Sequence, residues 1–293
     1  MKEITIEIST ICGADCVMCA RKEHVHHPHN MSFVVYCQLL HNIAAEGYDA
    51  LVFGGMGDPV ANPEMERMFA YTKENYPTIS IRLTTTGQLL NPSIEKSIYE
   101  YVDILKFSHY GYTKSVYESV HRGSLCFEKI KANILRVVNN RDTKPYVVMN
   151  YLDLDLNHHE VQDWIRFWQK QNVDQLDVWE QHNWAGYEGA IMHSEQSIPC
   201  HRVLTRNIAV WVDGDVSVCC FDCEKKLLLG NLLNESFEQL YQKSLSVDLM
   251  ARHKSGASLD PYICSNCDQI FNREFALLYR EVKGKIIKNK GVL

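Results

Sequence analysis

The chain has 293 residues, enough for one large domain or two modest ones, and its 46% hydrophobic content is that of an ordinary globular protein. A formal net charge of −6 argues against general nucleic-acid binding, and without a run of about eighteen apolar residues no membrane span is expected. Eleven cysteines, in a chain that enters a strand pattern at once and shows no secretory signal, point to metal or redox chemistry in the cytoplasm rather than to disulfides.

The first strand is expected over Ile4–Ile8, where apolar residues alternate with Thr and Glu. Directly after it come Cys12, Cys16 and Cys19, spaced C-x3-C-x2-C. Three thiolates on one short loop suit an iron–sulfur cubane. Such clusters normally take four cysteines, and the next one, Cys37, falls inside a helix-like stretch. One iron would then lack a protein ligand, as catalytic metal sites keep a position open. Zinc is a competing reading, but a structural zinc site takes four ligands and closes locally. The histidines of the following loop, His24, His26, His27 and His29, read as a solvated loop more than as a metal site.

Further strands are expected at Ala50–Phe53, Ile79–Thr84, Ile104–Ser108, Tyr146–Tyr151 and Gln175–Trp179. Helices are expected near Ser32–Glu46, Pro63–Asn75, Pro92–Tyr101, Phe127–Asn139 and His158–Gln171, with Ser32, Asn62, Asn91 and Asn157 as N-caps. This alternation predicts an α/β fold with parallel strands, either doubly wound or a partial barrel, and both bind ligands at the C-terminal strand ends. Those ends carry Gly54-Gly55-Met56-Gly57-Asp58-Pro59, Thr84-Thr85-Thr86-Gly87, Ser108-His109-Tyr110-Gly111, Asn150-Tyr151 and Trp179-Glu180-Gln181-His182-Asn183-Trp184. The glycine run is not a phosphate loop, because no Lys-Ser/Thr follows it. The threonines also read as helix caps, His109 as a core histidine, and the aromatic stretch 179–184 as a linker between domains.

From Cys200 the rhythm changes. Ile208–Val212 and Asp215–Val218 flank Asp213-Gly214 as a hairpin, followed by Cys219, Cys220 and Cys223. A helix is expected near Phe237–Leu249, then Cys264-x2-Cys267, then a final amphipathic segment from Arg273 to Ile287, read as a C-terminal helix. The basic tail, Lys283 to Lys290, is expected to be a frayed, solvated end. Zinc competes here too, although forty residues separate Cys223 from Cys264, against about fifteen to twenty in a zinc ribbon.

Cys12, Cys16 and Cys19, with Met18 before the last and Arg21 after it, resemble the radical S-adenosylmethionine (AdoMet) enzymes. The resemblance implies a [4Fe–4S] cluster on these cysteines, whose open iron chelates AdoMet and cleaves it to a 5′-deoxyadenosyl radical. It also implies AdoMet-binding roles for Met18, for Gly54, Gly55, Gly57 and Asp58 (the family's G-G-E-P, with Met56 and Asp58 as departures), for Thr85 and Thr86, for Ser108 and His109, and for Asn150. The C-terminal third is similar to the SPASM or shorter twitch regions of the family. It implies an auxiliary [4Fe–4S] on Cys200, Cys220, Cys264 and Cys267, with Cys219 or Cys223 able to replace Cys220. The expected architecture is therefore a partial (β/α)6 TIM-like barrel over 1–190 and a small hairpin-plus-helix iron–sulfur domain over 191–293.

In size and in its twitch-like end the chain is similar to 2-deoxy-scyllo-inosamine dehydrogenase-type enzymes. That implies oxidation of an alcohol on a small polar substrate, a sugar, aminocyclitol or nucleoside, with the auxiliary cluster taking the substrate's electron. Glu180, His182, Tyr110 and Tyr151 are the candidate base and orienting groups by strand-end position. Flavodoxin or ferredoxin is the expected electron donor. A peptide-modifying enzyme, an epimerase using Cys126, Cys219 or Cys223, and a non-catalytic iron–sulfur or zinc scaffold are the alternatives.

Overall fold

The computed structural model describes residues 1–187, 199–271 and 276–292. In chain order the elements are β1 (Glu3–Ile6), α1 (Arg21–His24), α2 (Phe33–Ala45), β2 (Ala50–Phe53), α3 (Met65–Asn75), β3 (Ser80–Thr85), α4 (Pro92–Tyr101), β4 (Ile104–Ser108), α5 (Lys114–Val120) and α6 (Phe127–Asn140). There follow β5 (Tyr146–Asp153), α7 (Val161–Trp168), β6 (Gln175–Glu180), α8 (His201–Leu204), β7 (Ala209–Val210), β8 (Asp215–Ser217), β9 (Leu228–Asn231), α9 (Phe237–Gln242), α10 (Ser244–Ser255), α11 (Asp268–Phe271), β10 (Leu277–Val282) and β11 (Lys285–Asn289). The chain divides into two compact units. One comprises Met1–Ile11, Ala20–Ser80 and His182–Arg273, the other Cys12–Cys19, Ile81–Gln181 and Glu274–Leu293.

In the first unit β1 lies between β2 and β7, parallel to both, with Ile4 opposite Leu51 and Ile6 opposite both Phe53 and Val210. Ile4, Ile6 and Ile8 have no exposed surface, and each contributes roughly 1.5–3 kcal/mol of burial. Helix α2 starts where Ser32 accepts a hydrogen bond from the Val35 amide, and it buries Tyr36, Leu39, Leu40 and Ile43, the spacing of one helical face. The expected hairpin is present: β7 and β8 pair antiparallel, and β9 adds to β8. The helix expected over Phe237–Leu249 is two helices. Ser236 opens α9 with a capping box, and Lys243, in an extended conformation, separates it from α10.

The second unit is built on four parallel strands, β3 to β6, joined through α4, α5–α6 and α7. Asn91 caps the amides of Ser93 and Ile94, with Pro92 in the first turn of α4. Asn157 does something other than cap a helix. Its side-chain oxygen accepts from the Leu154 amide, and its amide nitrogen donates to the carbonyls of Tyr110 and Leu152, so it ties the turn after β5 to the turn after β4.

The C-terminal helix read from the amphipathic tail is corrected: residues 277–289 form a hairpin, β10 and β11, and β10 pairs antiparallel with β6. Lys283 and Gly284 take positive φ (48° and 77°), the two-residue turn that matches strand twist. Tyr279 and Glu281 are both buried, a period of two rather than 3.6. The basic tail is thus a paired strand, not a frayed end, while Arg273, the start of the expected helix, and the junction expected at 190/191 lie outside the described residues. Among the described residues no helix is long and apolar enough to cross a membrane.

Candidate active site

The cysteine loop is held from several sides within its own unit. The Asp15 amide donates to Ser124 Oγ at 2.7 Å and the Val17 amide to the Val120 carbonyl at 2.9 Å. Met18 packs with Val120 and Leu154. Arg122 reaches the Asp15 carboxylate at 3.4 Å. The Ala14 amide points at Cys12 Sγ, 3.4 Å away. Cys12, Cys16 and Cys19 form no disulfide and are half-buried. Burial pushes the Cys16 thiol well up, and negative charge at Cys19 and Cys12 pushes it further. A sulfur raised by neighbouring thiols in this way is stabilised as a thiolate by a cationic centre, so the set fits a cluster. Among the described residues no three His, Cys, Asp or Glu side chains close tightly enough around one point to hold a single metal ion. A cubane does not require that, because each cysteine binds a different iron.

The strand ends of the same unit sort into two groups. Tyr110 packs against the Met18 cluster, and its hydroxyl is pushed up to about 12 by burial, with Cys16 and Cys19 adding to the shift and hydrogen bonds to Ser108 and Asn150 opposing it. Ser108 and Asn150 are register partners on β4 and β5. Among the described residues the buried side-chain oxygen of Asn150 has no partner, which makes it an acceptor suited to a polar ligand. Ser108, Tyr110 and Asn150 therefore stand with the cysteine loop.

His109 and Tyr151 belong to the core. His109 is enclosed by Tyr117, Phe127 and Trp168, accepts from the Trp164 indole at 3.1 Å, and is held neutral, at about 3, by burial first and then by His121 and Lys131. Tyr151 is fully buried and donates to the Asn157 carbonyl at 2.8 Å. The Thr85 and Thr86 hydroxyls accept from the Gly87 and Gln88 amides. Glu180 ends β6, half-buried and in register with Asp153.

In the first unit, Gly54–Asp58 follows β2. A Cβ on Gly57 would lie 2.2 Å from the Ser9 carbonyl oxygen, so only glycine lets the two backbones cross. Asp58 is buried and accepts from the Val60 amide, capping the short turn Pro59–Ala61. Sequence reasoning passed over Glu7. Its carboxylate accepts from the Met56 amide at 2.6 Å, and burial pushes it up to about 7 against the opposing pull of that hydrogen bond and of Lys225. The available signal was a charged residue between two isoleucines in the apolar run that opens the chain.

Cys200, Cys219, Cys264 and Cys267 line one pocket together with Arg202, Phe221, Gln269 and apolar neighbours. Burial pushes Cys264 and Cys267 up to about 12, and Cys200 acts on both. Cys220 does not line this cavity; with Cys223 it packs against Met56, Ala209 and Trp211. The thiols of Cys219 and Cys220 hydrogen-bond to each other, and nearby Arg202 favours a thiolate in the pair. His182 stacks on Phe221, 4.2 Å between centroids, and is held neutral, at about 4, by burial and by Arg202. Four thiols converging on one largely apolar pocket fit a four-cysteine cluster.

The profile of the radical SAM superfamily matches residues 6–167, and that of the SPASM iron–sulfur cluster-binding domain matches residues 200–268. The chain belongs to the radical SAM superfamily and carries a SPASM domain; it is a radical SAM enzyme, with [4Fe–4S] clusters and AdoMet as its cofactors. A search of curated proteins gives no match. Among solved structures, BtrN in complex with AdoMet and 2-DOIA is 16% identical, with 92% of this chain and 93% of that chain covered at a TM-score of 0.65. Native anSMEcpe with bound AdoMet and Cp18Cys peptide is 15% identical over 90% and 88%, at 0.67. Streptococcus suis SuiB bound to precursor peptide SuiA is 11% identical over 92% and 70%, at 0.69. At such identities the likeness is one of fold: an α/β, mostly parallel partial barrel followed by a SPASM-type region.

Proposed function

We propose that this radical SAM enzyme is an oxidoreductase that turns an alcohol of a small polar substrate, a sugar, aminocyclitol or nucleoside, into a ketone. The observation that carries the reading is the second cysteine set, Cys200, Cys219, Cys264 and Cys267, lining one pocket. When bound, AdoMet at the three-cysteine cluster supplies a 5′-deoxyadenosyl radical and the auxiliary cluster a one-electron sink, so the alcohol gives up a hydrogen atom, a proton and an electron.

In this reading Cys12, Cys16 and Cys19 hold the first cluster, and Ser108, Tyr110 and Asn150 orient what binds beside it. The unpartnered Asn150 oxygen takes a donor of AdoMet or substrate. Glu180 takes the hydroxyl proton, since Tyr110, raised to about 12, is a proton donor at neutral pH and Tyr151 is already engaged with a core carbonyl. The division into a radical SAM part, 1–190, and an auxiliary-cluster part, 191–293, belongs to the same reading, with a flavodoxin or ferredoxin as electron donor. Support also comes from the end-to-end match with BtrN in complex with AdoMet and 2-DOIA.

The test is turnover of reconstituted protein with reductant, AdoMet and a panel of aminocyclitols, sugars and nucleosides. Substrate-dependent 5′-deoxyadenosine with an equal yield of ketone is expected, and E180Q should lower the rate about 10²-fold or more. Peptide modification is the second reading, favoured by the equally good match to anSMEcpe with Cp18Cys peptide and to SuiB with precursor peptide SuiA. Deoxyadenosine formation with peptides alone would select it.

A further inference from the structure

Arg202 sits two residues beyond Cys200, in the four-residue helix α8 that Cys200 opens. It lines the same cavity as Cys200, Cys219, Cys264 and Cys267, and its guanidinium carbon lies 4.8 Å from the centroid of the Phe221 ring. Arginine is the cation that proteins keep charged when buried. The thiols that share its cavity wall are Cys200, Cys219, Cys264 and Cys267. A half-buried guanidinium is stabilised by an anion beside it, and here that anion is the thiolate shell of the auxiliary centre.

We infer that Arg202 is the fixed positive charge that sets the reduction potential of the auxiliary cluster, holding it high enough to take an electron from the substrate. The inference rests on the auxiliary-cluster reading above. Taking up one electron adds one unit of negative charge to the centre. A cation fixed at its wall stabilises the reduced form more than the oxidised form, and the low dielectric of the site enlarges the difference. Phe221 limits the guanidinium's freedom through the face of its ring and keeps solvent from screening it. His182, stacked on the same ring and held neutral, adds no charge of its own. Arg202 therefore acts through the cluster and not on the substrate.

The experiment uses the full chain with Cys12, Cys16 and Cys19 all replaced by alanine, which isolates the auxiliary centre. Iron analysis comes first: about four iron per chain are expected, and their absence overturns the auxiliary-cluster reading together with this inference. The midpoint potential is then read by EPR-monitored titration in this background and in Arg202→Gln and Arg202→Lys. The expected result is at least a tenfold shift toward the oxidised form in R202Q at fixed poise, 59 mV for one electron, with R202K close to the parent. If R202Q loses its cluster while R202K keeps it, the charge serves assembly rather than potential and the inference is overturned. Equal potentials in all three chains overturn it, as does cluster loss from both variants, which marks a steric role.

Discussion

The Glu7 carboxylate accepts a 2.6 Å hydrogen bond from the Met56 amide, tying the end of β1 to the glycine loop that follows β2. A Cβ on Gly55, whose φ is 141°, would fall 2.5 Å from the Glu7 oxygen, so acid and glycine are fitted to each other. Burial lifts this acid from 4.5 to about 7. Its proton is held more tightly in the folded chain than in the unfolded one, so its contribution to stability is fully present below about pH 4.5 and is lost as pH rises through about 7. The whole difference is about 3 kcal/mol, of which about 1 kcal/mol falls between pH 6 and 8. E7Q keeps an acceptor for the Met56 amide and has no proton to lose. Its unfolding free energy should therefore gain on wild type across pH 6–8, measured by denaturant titration. Parallel pH profiles would show that Glu7 is not the titrating group.

The buried histidines act in the opposite direction. His109 and His121 are held neutral, at about 3 and about 4, chiefly by burial. The unfolded chain binds their protons first, so stability falls as pH drops below 6.5 and continues to fall toward the folded values. H109Q retains an acceptor for the Trp164 indole, now 3.1 Å from His109 Nδ1, and removes one of these groups. It should lose less stability than wild type between pH 7 and 5.5, with Trp164 fluorescence as the probe of unfolding. An unchanged acid limb would rule out His109 as a contributor.

Much of this architecture can be read from local pattern. The strands over 50–53 and 104–108 and the helix over 92–101 fall where β-branched runs and an Asn-Pro start put them. The tail misled, because 273–287 carries apolar residues that satisfy both periods; only the edge of β6 waiting for a partner decides for a strand. His109 shows a second limit. Its place after β4 resembles a ligand position, yet adjacent residues of an extended stretch face opposite ways, and Tyr110 takes the side of the cysteine loop while His109 takes the core. Glu7 and Arg202 were invisible for a related reason. Each is an ordinary charged residue until the fold shows what encloses it.

Tyr151 makes the same distinction testable. Its hydroxyl donates to the Asn157 carbonyl, which also accepts from the Glu160 amide. Removing the hydroxyl in Y151F leaves that carbonyl one partner, so the loss should be about 1 kcal/mol of stability. Cluster content and 5′-deoxyadenosine formation should stay at wild-type levels. A fall in turnover of tenfold or more at full cluster loading would return Tyr151 to the reacting groups.

The adjacent pair Cys219-Cys220 gives the sharpest separation. The two neighbouring residues beyond β8 have different surroundings. Cys219 shares its cavity with Cys200, Cys264 and Cys267, whereas Cys220 packs with Cys223 against Met56 and Trp211. Spacing alone could not choose between them, since either leaves a plausible loop to Cys264. A wild-type chain with two cubanes should carry about eight iron and eight sulfide. C219A should fall to about four of each, because three thiols and no replacement leave the auxiliary cluster one ligand short. C220A should keep about eight, as it removes a packed thiol and the hydrogen bond to Cys219 but no ligand. Iron and sulfide assays on anaerobically reconstituted chains decide the matter. Loss from C220A with retention in C219A would reverse the ligand assignment, and loss from both would mean that the two thiols work as a unit.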